Sequence, residues 1–187
     1  MKKLILTAAL GVACFSAFAQ GTLNFANAGV GYQAKVTEQA TGLGLSGSTW
    51  SADLFWGVGT VTDSTLLTAL NSPATFSTVA SQAGFFFGGP RTVPTAPNVP
   101  ITVQVRVWDT ASGSTWAQAI GTAGARVGES VLFSITLANP NATPAGIPVG
   151  MNGIGGNPFT VGPVPEPSTL ALAGLGLAGM MMLRRRK

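Results

Sequence analysis

Apolar side chains that recur at every second position restrict this chain more than any other feature. In residues 101–109, Ile101, Val103, Val105 and Val107 fall on one face, and Thr102, Gln104 and Arg106 on the other. A strand turns successive side chains to opposite faces, whereas a helix repeats its apolar positions every three or four residues. The same period runs through residues 50–58 (Trp50, Ala52, Leu54, Trp56, Val58) and residues 131–138 (Val131, Phe133, Ile135, Leu137). It recurs in residues 22–26 (Leu23, Phe25) and residues 32–38 (Tyr32, Ala34, Val36). Residues 75–80 and 84–87 carry it more weakly. Gly42-Leu43-Gly44, Gly88-Gly89-Pro90 and Ala111-Ser112-Gly113 break the runs. Strands wet on one face predict antiparallel sheets, and two sheets face to face would hide the apolar rows. The expected fold is all-β: an antiparallel, jelly-roll-like β-sandwich of roughly seven to nine strands.

One or two short helices fit the connections. Asp63 or Ser64 is placed to cap residues 65–70. Thr115-Trp116-Ala117-Gln118 has capping-box spacing ahead of a turn that stops near Gly121.

Both ends read as addresses and stand apart from the fold. Lys2 and Lys3 precede an apolar run over residues 4–13, and Ala17-Phe18-Ala19 fits a signal-peptide cleavage site that leaves Gln20 first. This predicts export by the Sec machinery and signal peptidase. At the other end, an apolar run from Thr169 to Leu183 is followed by Arg184, Arg185, Arg186 and Lys187. As a helix, 15 residues reach about 22 Å, short of a bilayer core near 30 Å. Flanking arginines that snorkel and local thinning let such a transmembrane helix span. The terminal positive charges hold it as a stop on the cytoplasmic side. The predicted division is therefore a signal peptide at 1–19, a β-sandwich domain at 20–138, a Pro/Gly-rich stalk at 139–163 and a C-terminal address at 164–187.

Charge supports that division. The chain has 10 basic and 6 acidic residues, a net +4, but six of the positives lie in the two ends. The body keeps Lys35, Arg91, Arg106 and Arg126 against Glu38, Asp53, Asp63, Asp109 and Glu129, a net of −1. No basic face is available for nucleic acid.

Few residues are equipped for chemistry. There is no histidine, and the one cysteine, Cys14, lies in the signal region. An ordinary catalytic triad, a Cys/His metal site and a cofactor are therefore not expected. A hydrolase would need two facing carboxylates, with Asp53 and Asp109 as the candidates. Asp53 sits in a strand and Asp109 at a strand end, where local roles suffice. Trp108 shares a face with Gln104 and Arg106. Exposed there, it would stack on a sugar ring. Covered by Arg106 or by the loop around Trp116, it would be structural.

Val164-Pro165-Glu166-Pro167-Ser168, followed by the apolar run and the basic cluster, resembles the PEP-CTERM sorting signal. The resemblance implies recognition of Pro165, Glu166 and Pro167 by an exosortase, a membrane-embedded Cys protease-transpeptidase. It also implies an inner-membrane intermediate and delivery to the cell surface or the extracellular matrix of biofilm-forming bacteria. The body is similar to PEP-CTERM proteins of unassigned activity in residues 21–27, 84–89, 103–109 and 127–130. The expectation is a non-enzymatic surface or matrix interaction protein. The alternatives are a carbohydrate-binding module for extracellular polysaccharide using Trp108, Arg106 and Gln104, and a hydrolase using Asp53 and Asp109.

Overall fold

The structure is a computed structural model that describes residues 20–164. The signal-peptide residues, Pro165 to Ser168 of the sorting motif, the Thr169 to Leu183 run and the basic cluster lie outside the described residues. The body is mostly β. Its strands are β1 (Gly21–Ala26), β2 (Ala28–Gly29), β3 (Tyr32–Gln33), β4 (Val36–Glu38), β5 (Trp50–Val58), β6 (Thr68–Ala69), β7 (Ala74–Thr75), β8 (Phe87–Val93), β9 (Pro100–Asp109), β10 (Arg126–Glu129), β11 (Phe133–Thr136), β12 (Val149–Gly150) and β13 (Phe159–Pro163).

The larger sheet runs β4-β13-β10-β9-β5-β6, with β11 also on β9 and β7 also on β5. A three-stranded sheet runs β12-β1-β8, and β2 and β3 form a small hairpin. The two long strands β5 and β9 pair antiparallel along their length, from Trp50 opposite Asp109 to Val58 opposite Ile101. Their apolar rows face inward. Leu54, Val103, Val105 and Val107 join Leu23, Phe25 and Val93 of the smaller sheet in one buried cluster. Burying such side chains is worth roughly 1.5–3 kcal/mol each, which makes this the main source of stability.

The sheets depart from the expected purely antiparallel pattern. β1 pairs with β12, and β4 with β13, in parallel. Both pairings join segments far apart in sequence, and neither is constrained by a hairpin turn. The expected stalk is corrected as well. Met151 and Ile154 are fully buried, and β13 occupies an interior place between β4 and β10. The Pro and Gly residues of 139–158 bend a packed connection there.

The predicted helix over residues 65–70 is only a 3₁₀ turn, Ser64–Leu66, with Asp63 Oδ1 accepting from the Thr65 N–H at 2.9 Å. The second helix forms as Trp116–Ile120, where Thr115 Oγ1 accepts from the Gln118 N–H at 3.4 Å.

Two breaks in the larger sheet are mended by side chains. Between β10 and β11, Ser130 Oγ accepts from the Val105 N–H at 2.9 Å, and the Ser130 N–H donates back to Val105 O. Between β6 and β7, Asp53 accepts the N–H groups of Asn71 and Ser72.

Candidate functional site

Strand register puts Ser51, Asp53 and Phe55 of β5 beside Trp108, Arg106 and Gln104 of β9, all on the outer face. Glu129 and Val127 of β10 continue that row beyond Arg106 and Trp108. A bare sheet would leave this face wet. Here the 3₁₀ turn Ser64–Leu66, Leu67 and the helix Trp116–Ile120 cover it. Phe55, Leu67, Trp108, Trp116 and Ala119 form a second buried cluster.

Of the two alternatives for Trp108 the covered one holds, and the exposed arrangement that a sugar-stacking site needs is absent: Gln104, Arg106 and Trp108 are 5 %, 8 % and 1 % exposed. Trp108 Nε1–H donates to Gly113 O at 3.0 Å, and its ring meets Trp116 edge-on at 6.4 Å. The loop around Trp116 supplies the cover. Arg106 does not stack on Trp108. Its guanidinium lies 4.1 Å from the centre of the Phe55 ring and 5.4 Å from that of Trp116.

Arg106 is well supplied with acceptors. Nη2 donates to Ser64 O at 2.6 Å and Nε to Gln104 Oε1 at 2.9 Å, with Glu129 Oε1 at 3.6 Å. Gln104 Nε2 donates to Glu129 Oε2 at 3.1 Å and to Ser130 O at 3.0 Å. Burial pushes the Arg106 guanidinium below its ordinary pKa, and Glu129 opposes that shift. The cation is tolerated because its donors meet oxygens and its faces meet rings.

Next to this layer lies a groove of about 310 Å³, with Phe55, Trp108, Trp116 and Pro73 as its apolar walls. Asp53, Asn71, Ser114 and Thr115 add polar groups to the lining. Its volume sits at the small end of ligand sites, enough for one ring-sized group. Asn71 adopts φ 56°, a left-handed conformation that Asn tolerates better than most residues. Asp53 contributes less than its charge suggests. Oδ1 accepts from Leu54 N–H at 2.9 Å and Ser72 N–H at 3.2 Å, and Oδ2 from Asn71 N–H at 3.0 Å. Burial raises its pKa, and those three N–H groups together with Arg91 only partly counter it.

Asp109 behaves in the opposite way. Burial is again the strongest single influence, but hydrogen bonds from Ser112 and Arg126 together outweigh it and hold the carboxyl below its ordinary value. Arg126 also pairs with Glu38 and lies 4.5 Å over the Trp50 ring. Asp109 stands opposite Trp50 and Asp53 opposite Arg106, so the two acids point to opposite faces of the sheet. They do not form the facing pair that a hydrolase would need.

Sequence reasoning missed Phe55 and Asn71. Phe55 left a signal, an aromatic in the otherwise polar row Ser51, Asp53, and such a residue calls for a second layer. Asn71 left none beyond a turn composition. Among the described residues no group of three or more acidic, histidine or cysteine side chains is placed to hold a metal. No helix among them is long and apolar enough to cross a membrane.

Comparison with known proteins adds one finding at the C-terminal end. Residues 163–187 match the model of the PEP-CTERM protein-sorting motif. No curated protein and no solved structure matches the chain.

Proposed function

We propose that the β body is cargo displayed at the cell surface or in the extracellular matrix, since the PEP-CTERM protein-sorting motif at residues 163–187 supports an exported protein sorted by an exosortase. The motif is the single observation that carries this reading. The proposed route is the Sec machinery, signal-peptide removal after Ala19, and an inner-membrane intermediate held by the Thr169 to Leu183 run.

We read the two sheets as layers of a sandwich, and its role as binding rather than catalysis. The separation of Asp53 from Asp109 favours that choice. Epitope-tagged protein should be found in the surface fraction of the native host. Confinement to the cytoplasm would refute the reading.

The groove supports a second reading, a site for one unit of an extracellular polysaccharide. Apolar ring faces beside an amide and hydroxyls suit a sugar, which has apolar C–H faces and polar edges. This moves the candidate contact from Trp108, Arg106 and Gln104 to Trp116, Phe55 and Asn71. Titration with the host's exopolysaccharide should change tryptophan fluorescence, and Asn71→Ala should weaken that response about tenfold, a loss near 1.4 kcal/mol. An unchanged response in Asn71→Ala would remove the groove from consideration.

A further inference from the structure

We infer that the groove selects its ligand by charge: it admits a sugar unit without an acid group, a neutral hexose or an N-acetylhexosamine, and excludes a uronate, with the Asp53 carboxylate as the specificity-determining group. This rests on the sugar reading of the groove given above and deepens it. The observation is the charge balance of the lining. Among the described residues that form it, Asp53 is charged and no lysine or arginine joins it. Both Asp53 oxygens accept backbone N–H groups, Oδ1 from Leu54 and Ser72 and Oδ2 from Asn71. That is the bonding of an ionised carboxylate, which has acceptors and no donor.

Two arginines border the groove without entering its lining. Arg106 lies against the rings of Phe55 and Trp116, and its donors end on Ser64 O and Gln104 Oε1. Glu129, at 3.6 Å, balances its charge. Arg91 acts on Asp53 through space. Its Nε donates to Ser72 O at 3.3 Å, and its Nη1 to Gly88 O and Pro90 O. An acid group in the groove therefore meets a carboxylate, with no charged donor in the lining to hold it. A space of about 310 Å³ is roughly 7 Å across, and the Debye length in physiological salt is about 8 Å. Any acid group within it stands inside one screening length of Asp53, so salt does not remove the repulsion.

Neutral polar edges find partners in the same lining. Asn71 Nδ2 reaches Ala69 O only at 3.5 Å, the far limit of a hydrogen bond. Its amide can serve a hydroxyl or an acetamido carbonyl instead. Ser114 Oγ donates to Gln118 Oε1 at 3.0 Å and keeps its lone pairs for a sugar hydroxyl. Thr115 Oγ1 accepts from the Gln118 N–H, which leaves its own proton to donate. Ala69, Pro73 and Ala117 add small apolar surface for ring C–H groups or an acetamido methyl. These groups fit an uncharged unit and give a carboxylate nothing in exchange for its lost water.

Tryptophan emission of the full chain in a polyoxyethylene detergent tests this with three tetramers. They are cellotetraose, tetra-N-acetylchitotetraose and the β-linked glucuronate tetramer, which differs from cellotetraose only in its acid groups. One of the neutral tetramers should bind at least about tenfold tighter than the glucuronate. Equal or tighter binding of the glucuronate would overturn the inference. Ala117 is an exposed position of the helix wall that leaves the Asp53 bonds untouched. Ala117→Lys should narrow the gap about tenfold by adding a cation, and Ala117→Gln should leave it as it is. Asp53→Asn should narrow it as well, and where that variant fails to fold the lysine variant still decides. A gap that Ala117→Lys does not narrow would overturn the role of charge. No response to any tetramer would refute the sugar reading instead.

Discussion

The two faces of β9 are buried to almost the same degree by different means. Inward, Ile101, Val103, Val105 and Val107 are fully buried against aliphatic and aromatic neighbours. Outward, Thr102, Gln104, Arg106 and Trp108 are nearly as hidden, but each of these side chains has a hydrogen-bond partner. The inner face is stabilised by area and tolerates no loss of volume. The outer face is stabilised by a closed set of hydrogen bonds and ring contacts, and tolerates no loss of a partner. The groove lies on the outer side, where a thin layer of turn and helix leaves space beside the rings.

The largest effect should come from the inner face. Leu54→Ala removes a fully buried side chain and is expected to cost about 2–5 kcal/mol, read as a fall in the urea midpoint. Arg106→Ala should follow, at about 2–3 kcal/mol, because it orphans Ser64 O and Gln104 Oε1 and opens the space between Phe55 and Trp116. Arg106→Lys should recover less than half of that loss, since an ammonium lacks the planar fork. Equal costs for Lys and Met at this position would show that packing alone matters there, and the contrast between the faces would fail.

Titration sharpens the same contrast, because the two buried acids are shifted in opposite directions. The folded pKa of Asp109 lies below the ordinary 3.8. Its contribution is complete above that value and is lost as pH falls through the folded pKa. The folded pKa of Asp53 lies above 3.8. The folded state therefore holds that proton more tightly, and stability declines as pH rises from 3.8 through the folded value. Urea midpoints across roughly pH 3 to 7 should show the gap between native protein and Asp109→Asn shrinking toward acid. The gap to Asp53→Asn should shrink in the other direction. Parallel profiles would contradict the opposed shifts. The smallest effect expected is Ser130→Ala, about 1 kcal/mol, from loss of the bond to the Val105 N–H.

What was legible follows from the range of each signal. β5 spans the residues that its alternation marked, and the Thr115 cap appears where local spacing put it. Those signals are complete within a few residues. Alternation also sorted Val105 from Arg106 correctly by face, but it cannot say whether a second layer covers the polar face. That depends on the 3₁₀ turn and the helix folding back. β8 was hidden by Gly88, Gly89 and Pro90, which read as a turn, yet Gly89 and Pro90 pair with β1 and Gly88 sits at a register shift. A strand at residues 159–161 was legible as a short run among Pro and Gly residues, but its place inside the sheet was not, because its partner β4 lies at the far end of the body.

The stretches that resemble other PEP-CTERM proteins take on a physical meaning together. Residues 21–27 meet residues 84–89 through buried Asn27, which donates to Gly84 O at 2.9 Å and accepts from the Phe86 N–H at 2.8 Å. Residues 103–109 meet residues 127–130 through Gln104, Glu129 and Ser130. Each pair of stretches is the two halves of one polar fastener.

On the proposed function, the tail carries the address and the body carries the fold. The most direct measurement compares the native chain with one ending at Val164, by surface fractionation and circular dichroism in the same host. The shortened chain should keep the same β spectrum and melting curve but be lost from the surface fraction. An unchanged surface distribution would contradict the role of the tail, and a collapsed spectrum would contradict the independence of the body.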